Sequence, residues 1–457
     1  MTKKRVQQLV AIVCSGAMML SAACALNRKA PALPTYDKQD FVFFGFWSPY
    51  DFTEESYALY RQSGLNTMLF TNHSVQTASS DNLHYLGSGA TMRSLELCRK
   101  TGLNAILNYG WWYYEWVEGG KSYGDTPFSD YNLYEDYKDM IVGVHIADEP
   151  KYNQIDDYAK ESLIADYKRV YDVPYMLNLY PSYAGQDAIG YEGYKQYVQS
   201  YADKVLTQFD DNRLLSVDFY PFRASSSSMH SAWLACYNNV ASVAKSTGSK
   251  QSYYIQTAVG NEFQGELGQD EICMQLNVAM AFGADWFGFY CYEMPRTYLE
   301  DGTYEPMYSY CMLNPDGTPS LLYYAVQSEI ARVSAFSDAY LAYDWVKTVP
   351  VTPAGAKENY ALKLISGSDF SGTSIEQVTA DSDTVVGCFT SEKGEAFMVV
   401  NYGTPSEKKT STTTVKVGCD GYAAVYGKSG APEIVKLKKG ELQLEMASGE
   451  GRFVTLL

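Results

Sequence analysis

Two stretches, SGLNTMLF (63–70) and TGLNAILN (101–108), constrain the fold more than anything else in this 457-residue chain. Each follows a run with helical spacing, EESYALYRQ or RSLELCRK, and each glycine is followed at once by an apolar, strand-like run. Glycine ends helices because it adopts the left-handed backbone of the cap without steric cost. The chain therefore repeats one unit, strand then helix, with the same punctuation.

Carried along the sequence, the rhythm reaches eight. The expected strands are FVFFGFW (41–47), TMLFTN (67–72), AILNYG (105–110), MIVGVHIA (140–147), PYMLNLY (174–180), LLSVDFY (214–220), SYYIQTA (252–258) and DWFGFYCYE (285–293). Helix-patterned runs closing at Gly248 and Gly283 precede the last two. Eight such strands predict a (β/α)8 barrel over residues 41–338. An open doubly wound sheet is the weaker alternative, because no GxGxxG or GxxxxGK[ST] loop follows any strand. From residue 339 to 457 the texture changes to short alternating strands, such as TVVGCFT and EAFMVVNYG around a turn at Lys393-Gly394. That pattern predicts a β-sandwich-like domain, read as a structural cap rather than an independent binding module.

The N-terminus reads as an export signal. Lys3, Lys4 and Arg5 precede the apolar run LVAIVCSGAMMLSAACA, so residues 1–25 are expected to be a signal peptide and 26–40 a linker. Cys24 within LSAAC also invites a lipoprotein reading, with attachment to a membrane through the lipidated cysteine. The expected location is extracellular or at the cell surface. A formal net charge of −17 disfavours nucleic acid as a partner. The nine cysteines are scattered without a CxxC, and the four histidines are not paired at short spacing, so neither a metal site nor a cofactor is expected.

In a barrel of this kind the active site lies at the C-terminal ends of the strands. Strand four ends in Asp148 and Glu149, strand five carries Asn178, and strand six carries Asp218 and Tyr220. Strand seven carries Gln256, with Glu262 four residues beyond its end, and strand eight ends in Tyr292 and Glu293. Trp47 closes strand one. Trp111 and Trp112 open the cluster WWYYEW after strand three, as stacking platforms for sugar rings or as a loop packed over the barrel mouth. Asp148 also has a plain structural reading as the cap of a helix starting near Pro150. Because successive strand residues face opposite ways, that reading leaves Glu149 free for chemistry.

The tripeptide Asp148-Glu149-Pro150 resembles the Asn-Glu-Pro that ends strand four in a clan of (β/α)8 glycoside hydrolases including β-galactosidases and cellulases. The terminal GEGRFVTLL is also similar to the last strand of the β-domains that follow many such barrels. The resemblance implies a glycosidase acting on an oligo- or polysaccharide without a cofactor, with Glu149 as general acid/base. It also implies a nucleophilic Glu at the end of strand seven, where this chain has Gln256, with Glu262 in the following loop. Glu293 is the other candidate partner. A barrel that has lost catalysis and binds a glycan or cell-wall polymer is the competing expectation; an esterase or lyase lacks its usual nucleophile or metal ligands here.

Overall fold

The computed structural model describes residues 31–70, 88–109, 128–224, 229–263, 266–298, 304–418, 420–428 and 430–457. Expectations that fall on Cys24, the signal segment, Trp111 and Trp112 lie outside these residues.

Eight parallel strands close into a barrel in chain order. They are β1 (Val42–Phe46), β2 (Thr67–Leu69), β3 (Asn104–Asn108), β4 (Ile141–Asp148), β5 (Tyr175–Leu179), β6 (Leu214–Val217), β7 (Lys250–Gln256) and β8 (Trp286–Tyr290). Closure is made by β8 pairing back on β1, with Val42 opposite Trp286 and Phe46 opposite Tyr290. The helices that follow the strands are α1 (Glu54–Gln62), α2 (Ser88–Thr101), α3 (Glu161–Val170), α4 (Tyr194–Lys204), α5 (Trp233–Thr247), α6 (Gln269–Ala281) and α7 (Leu321–Ser334). Between β3 and β4 the described residues form a run of 3₁₀ turns, Ser129–Met140. The glycines that mark the repeat, Gly64, Gly102, Gly248 and Gly283, all have positive φ, as helix-stopping glycines do.

Strand alternation sorts the apolar residues into two layers. Phe44, Phe46, Met176, Leu214, Tyr254 and Trp286 fill the barrel interior. Phe41, Phe43, Tyr175, Leu177, Leu215, Val217, Tyr253 and Ile255 face outward into the layer beneath the helices. Gly288 takes an interior position because a Cβ there would lie 2.9 Å from both the Phe44 and Tyr254 rings. After Tyr290 the alternation slips by one, so Cys291 packs inside and Tyr292 packs outside.

Beyond a short hairpin, β9 (Arg296–Tyr298) and β10 (Tyr304–Pro306), the C-terminal part forms two antiparallel sheets. Its strands are β11 (Asp344–Val351), β12 (Ile375–Ala380), β13 (Thr384–Ser391), β14 (Gly394–Asn401), β15 (Ser411–Val417), β16 (Tyr422–Tyr426), β17 (Glu433–Lys436), β18 (Glu441–Met446) and β19 (Gly451–Leu456). Six of them run in the order β11-β13-β14-β19-β16-β17 and three in the order β12-β15-β18. Val386, Phe397, Val399 and Val454 of the larger sheet and Val415, Leu442, Leu444 and Met446 of the smaller share one buried core. This is the sandwich the alternation predicts. Ser391 pairs with Gly394, so the turn is Glu392-Lys393, one residue earlier than the sequence suggested.

The sandwich packs on α6 and α7. Gly387 of β13 lies so close to the end of α6 that a Cβ would collide with the Ala281 carbonyl. That same carbonyl accepts from Trp345 Nε1 at 3.2 Å and from Thr348 Oγ1 at 2.7 Å. Helix ends leave carbonyls without intrahelical partners, and here the neighbouring sheet supplies them. Nearby, Glu329 accepts from Arg332 Nε at 2.7 Å and from Gln269 Nε2 at 3.0 Å. Arg332 Nη2 donates to Asn277 Oδ1, whose own Nδ2 reaches the Gly449 carbonyl.

Candidate active site

Asp148, Asn178 and Ser216 face the same side of three adjacent strands, because Asp148 pairs with Asn178 across β4–β5 and Asn178 with Ser216 across β5–β6. The Asn178 side chain joins them. Its Nδ2 donates to Asp148 Oδ1 at 3.1 Å and to Asp218 Oδ1 at 3.3 Å. Its Oδ1 accepts from Ser216 Oγ at 3.0 Å. Two carboxylate oxygens sharing one donor lie no farther apart than the sum of those two bond lengths.

Glu149 joins the cluster through its backbone. Its φ is +48°, a left-handed conformation that few non-glycine residues adopt, and its N–H donates to the Asn178 carbonyl at 2.8 Å. Strand alternation alone would send Asp148 and Glu149 to opposite faces. The left-handed turn ends the strand and brings both side chains to one cavity. Asp148 does not act as a helix cap: the next turn starts only at Tyr152, where the Gln154 side chain accepts from the Lys151 N–H.

The cavity, of about 240 Å³, is lined by Phe46, Asp148, Glu149, Asn178, Tyr183, Asp218, Tyr220, Arg223, Tyr254, Glu262, Phe263, Tyr290 and Tyr308. Six of the residues expected from sequence thus meet here: Asp148, Glu149, Asn178, Asp218, Tyr220 and Glu262. The Tyr290 and Tyr308 hydroxyls lie 3.2 Å apart, and Tyr308 donates to Glu262 Oε1 at 3.3 Å.

The other expected residues that the structure describes, Trp47, Gln256, Tyr292 and Glu293, are not among those that line this cavity. Glu293 Oε2 accepts from the Tyr50 N–H at 3.1 Å, and the Glu293 N–H donates to the Trp47 carbonyl. Tyr292 is buried outside the barrel, its ring 4.6 Å from that of Tyr60. Trp47 packs edge-on against Phe46. Gln256 is fully engaged: its Oε1 accepts from the Phe222 N–H at 3.0 Å and its Nε2 donates to the Phe222 carbonyl at 2.8 Å. That clamp fixes the loop after β6. Tyr183, Arg223, Tyr254 and Tyr308 are wall residues the sequence reading missed. Tyr254 was detectable as the inward position two before Gln256; the others come from loops whose fold no periodicity reports.

The carboxyls hold their protons more tightly than usual. Burial, then repulsion from Asp218 and Asp148, pushes Glu149 well up from the usual carboxylate range. Burial, then Asp148, does the same to Asp218, against the hydrogen bonds from Asn178 and Tyr220. Asp148 is raised to about 6 by burial, offset by the Asn178 bond. It keeps solvent contact at the cavity opening. Glu149 and Asp218 both keep their protons at neutral pH, whereas Asp148, raised less, is mostly ionised. Beneath them His145 is buried, its Nδ1 3.0 Å from Asn108 Oδ1, and burial lowers it to about 4, so it is neutral.

A larger cleft, about 1040 Å³, opens at the other end of the barrel among Val42, Ile141, Lys250, Trp286 and the sandwich residue Trp345. It lies at the strand starts, whereas the acids converge in the smaller cavity at the strand ends.

No family model and no curated protein matches the chain. Solved structures similar to it include a GH30 endoxylanase from Clostridium papyrosolvens C71, at 10% identity over 92% of this chain and 98% of that one, TM-score 0.39. A 4-O-α-L-rhamnosyl-β-D-glucuronidase from Fusarium oxysporum 12S matches at 10% identity over 94% and 99%, TM-score 0.45. An endo-β-1,4-mannanase from Thermotoga petrophila matches at 11% identity over 89% and 91%, TM-score 0.37. A likeness this distant carries no functional weight. The function is argued from the cavity.

Proposed function

We propose that the protein is a glycoside hydrolase, with Glu149 as proton donor to the glycosidic oxygen and Asp148 as the ionised partner. The observation that carries this reading is the convergence of Asp148, Glu149 and Asp218 in one solvent-reached cavity. Glycoside cleavage needs one protonated and one ionised carboxyl flanking the bond, and their separation sets whether configuration is retained or inverted. Unequal environments supply the two forms at one pH. Burial holds the proton on Glu149, and Asp218, buried beside it, adds repulsion once the pH is high enough to ionise it. Tyr290, half-buried in the lining, offers an aromatic surface of the kind that packs on sugar rings, backed by the buried Tyr220 and Phe263.

No external cofactor enters this chemistry, because both proton transfers run between carboxyls and the substrate. The expected result is hydrolysis of at least one aryl glycoside in a panel, lost in Glu149→Gln and Asp148→Asn. Full activity in Glu149→Gln on a cleaved substrate would overturn the assignment. A non-hydrolytic, glycan-binding barrel is the second reading. Its support is Gln256, which stands at the end of β7 with its amide committed to Phe222. Retention of a bound oligosaccharide, uncut after long incubation, would favour it.

We further infer that the chain is exported and held at a membrane surface through Cys24. Labelling by a palmitate analogue that disappears in Cys24→Ala is the expected result; unlabelled wild-type protein contradicts it.

A further inference from the structure

One side of the cavity carries a cation that the acids do not use. Arg223 lines the site, and its guanidinium lies 5.2 Å from the Tyr183 ring centroid and 5.7 Å from that of Phe263. Rings at these distances hold the guanidinium by cation–π attraction and leave its N–H edges for a ligand. The loop that carries it is fixed on both sides. Phe222 is clamped by Gln256, Arg223 bridges to Phe263, and the Ala224 N–H donates to the Glu262 carbonyl at 3.1 Å.

Arg223 forms no ion pair with a carboxylate among the described residues, and among the described residues that line the cavity it is the only basic one. Its charge acts on Tyr183 and His230, whereas the causes that shift Asp148, Glu149 and Asp218 are burial, hydrogen bonds and their mutual repulsion. The cavity thus carries both signs: Asp148 and Asp218 share the Asn178 donor, and a half-buried cation is held against two rings. A guanidinium without a carboxylate partner is matched by a planar or tetrahedral oxyanion, which it binds through parallel N–H bonds.

We propose that Arg223 is a specificity-determining residue that binds an anionic oxygen group on the substrate, the carboxylate of a uronic acid or the sulfate of a sulfated sugar. This deepens the glycosidase reading and rests on it for the reaction, but not for the binding. The ligand binds with its charged substituent at Arg223 and its ring against the half-buried Tyr290, directing the neighbouring glycosidic bond towards Glu149.

The test measures binding and turnover separately on the full chain. Calorimetric titration of Glu149→Gln protein at low salt uses D-glucuronate, D-galacturonate, glucose 6-sulfate, and neutral glucose and galactose. At least tenfold tighter binding of an acidic sugar than of its neutral counterpart is expected, and the uronate and sulfate arms identify the anion. The preference is expected to shrink in 0.5 M NaCl, as roughly 3 Å screening predicts near 1 M. It is expected to vanish in Arg223→Met and to survive in part in Arg223→Lys, which separates loss of charge from loss of packing. In the wild type, 4-nitrophenyl glucuronide and glucoside give the turnover arm, with the Arg223 variants raising KM more than they lower kcat. Equal binding of acidic and neutral sugars, or a preference unchanged in Arg223→Met, overturns the proposal. Acid-selective binding without hydrolysis of any substrate upholds it while refuting the glycosidase reading.

Discussion

Two polar clusters in this molecule, each around a buried carboxyl, Glu329 in one and Asp218 in the other, are built on opposite principles. Between the barrel and the sandwich, Glu329, Arg332, Gln269 and Asn277 pair charge with countercharge and donor with acceptor. At the barrel mouth Asp148, Glu149 and Asp218 set like charges against each other in partly desolvated surroundings, with one amide as mediator. The first arrangement holds two domains together. The second costs stability and is sustained by the surrounding frame, as functional sites often are.

The comparison can be broken at either end. The largest effect is expected in Glu149→Gln, which removes the proposed acid and should lower kcat about 10²–10⁴-fold, read by steady-state hydrolysis, with the melting temperature held or raised. Arg332→Met leaves Glu329 buried without its countercharge and should destabilise the fold by about 3–5 kcal/mol in denaturant titration, with no direct effect on the cavity. Glu293→Gln, away from the cavity lining, should leave kcat within a few-fold of wild type; a loss as large as that in Glu149→Gln would move the partner role to Glu293.

The pH response follows from the upward shifts. A carboxyl whose folded value lies above its unfolded value favours the fold fully below the unfolded value, and that contribution is lost as pH rises through the folded value. For Asp148 the window runs from the ordinary carboxylate range to about 6, and for the Glu149–Asp218 pair it extends higher. Thermal stability should therefore fall from pH 4 towards neutrality and beyond, more steeply in wild type than in Asp218→Asn. Activity should be bell-shaped, with an acid limb near the Asp148 value and an alkaline limb set by the pair. Asp218→Asn should move the alkaline limb to lower pH, because the charge that helps keep Glu149 protonated is gone. The smallest effect is expected in Ser216→Ala, on the order of 1 kcal/mol, through one lost buried hydrogen bond to Asn178.

The sequence exposed the barrel because its signals are local. Helix-stopping glycines and period-two strands are written within a few residues, and Gly64, Gly102, Gly248 and Gly283 behave as read. It also placed Asp148, Asn178 and Asp218 near strand ends. The single left-handed residue that swings Glu149 beside Asp148 was not legible, because a glutamate at positive φ has no compositional mark. Arg223 and Tyr308 reach the cavity through loops held by long-range partners, Gln256 and Glu262, so their place depends on contacts rather than on pattern.

The Ala281 carbonyl, held by Trp345 and Thr348, also bears on how such a chain can be cut and recombined. The seam near residue 339 is visible in the sequence as a change of texture, yet it is a poor place for scissors. Severing there strips a helix of its terminal acceptor partners and uncovers the surface that Gly387 was small enough to meet. Barrel and sandwich share one seam: exchanging the sandwich for another requires one that brings its own donors to the same carbonyl.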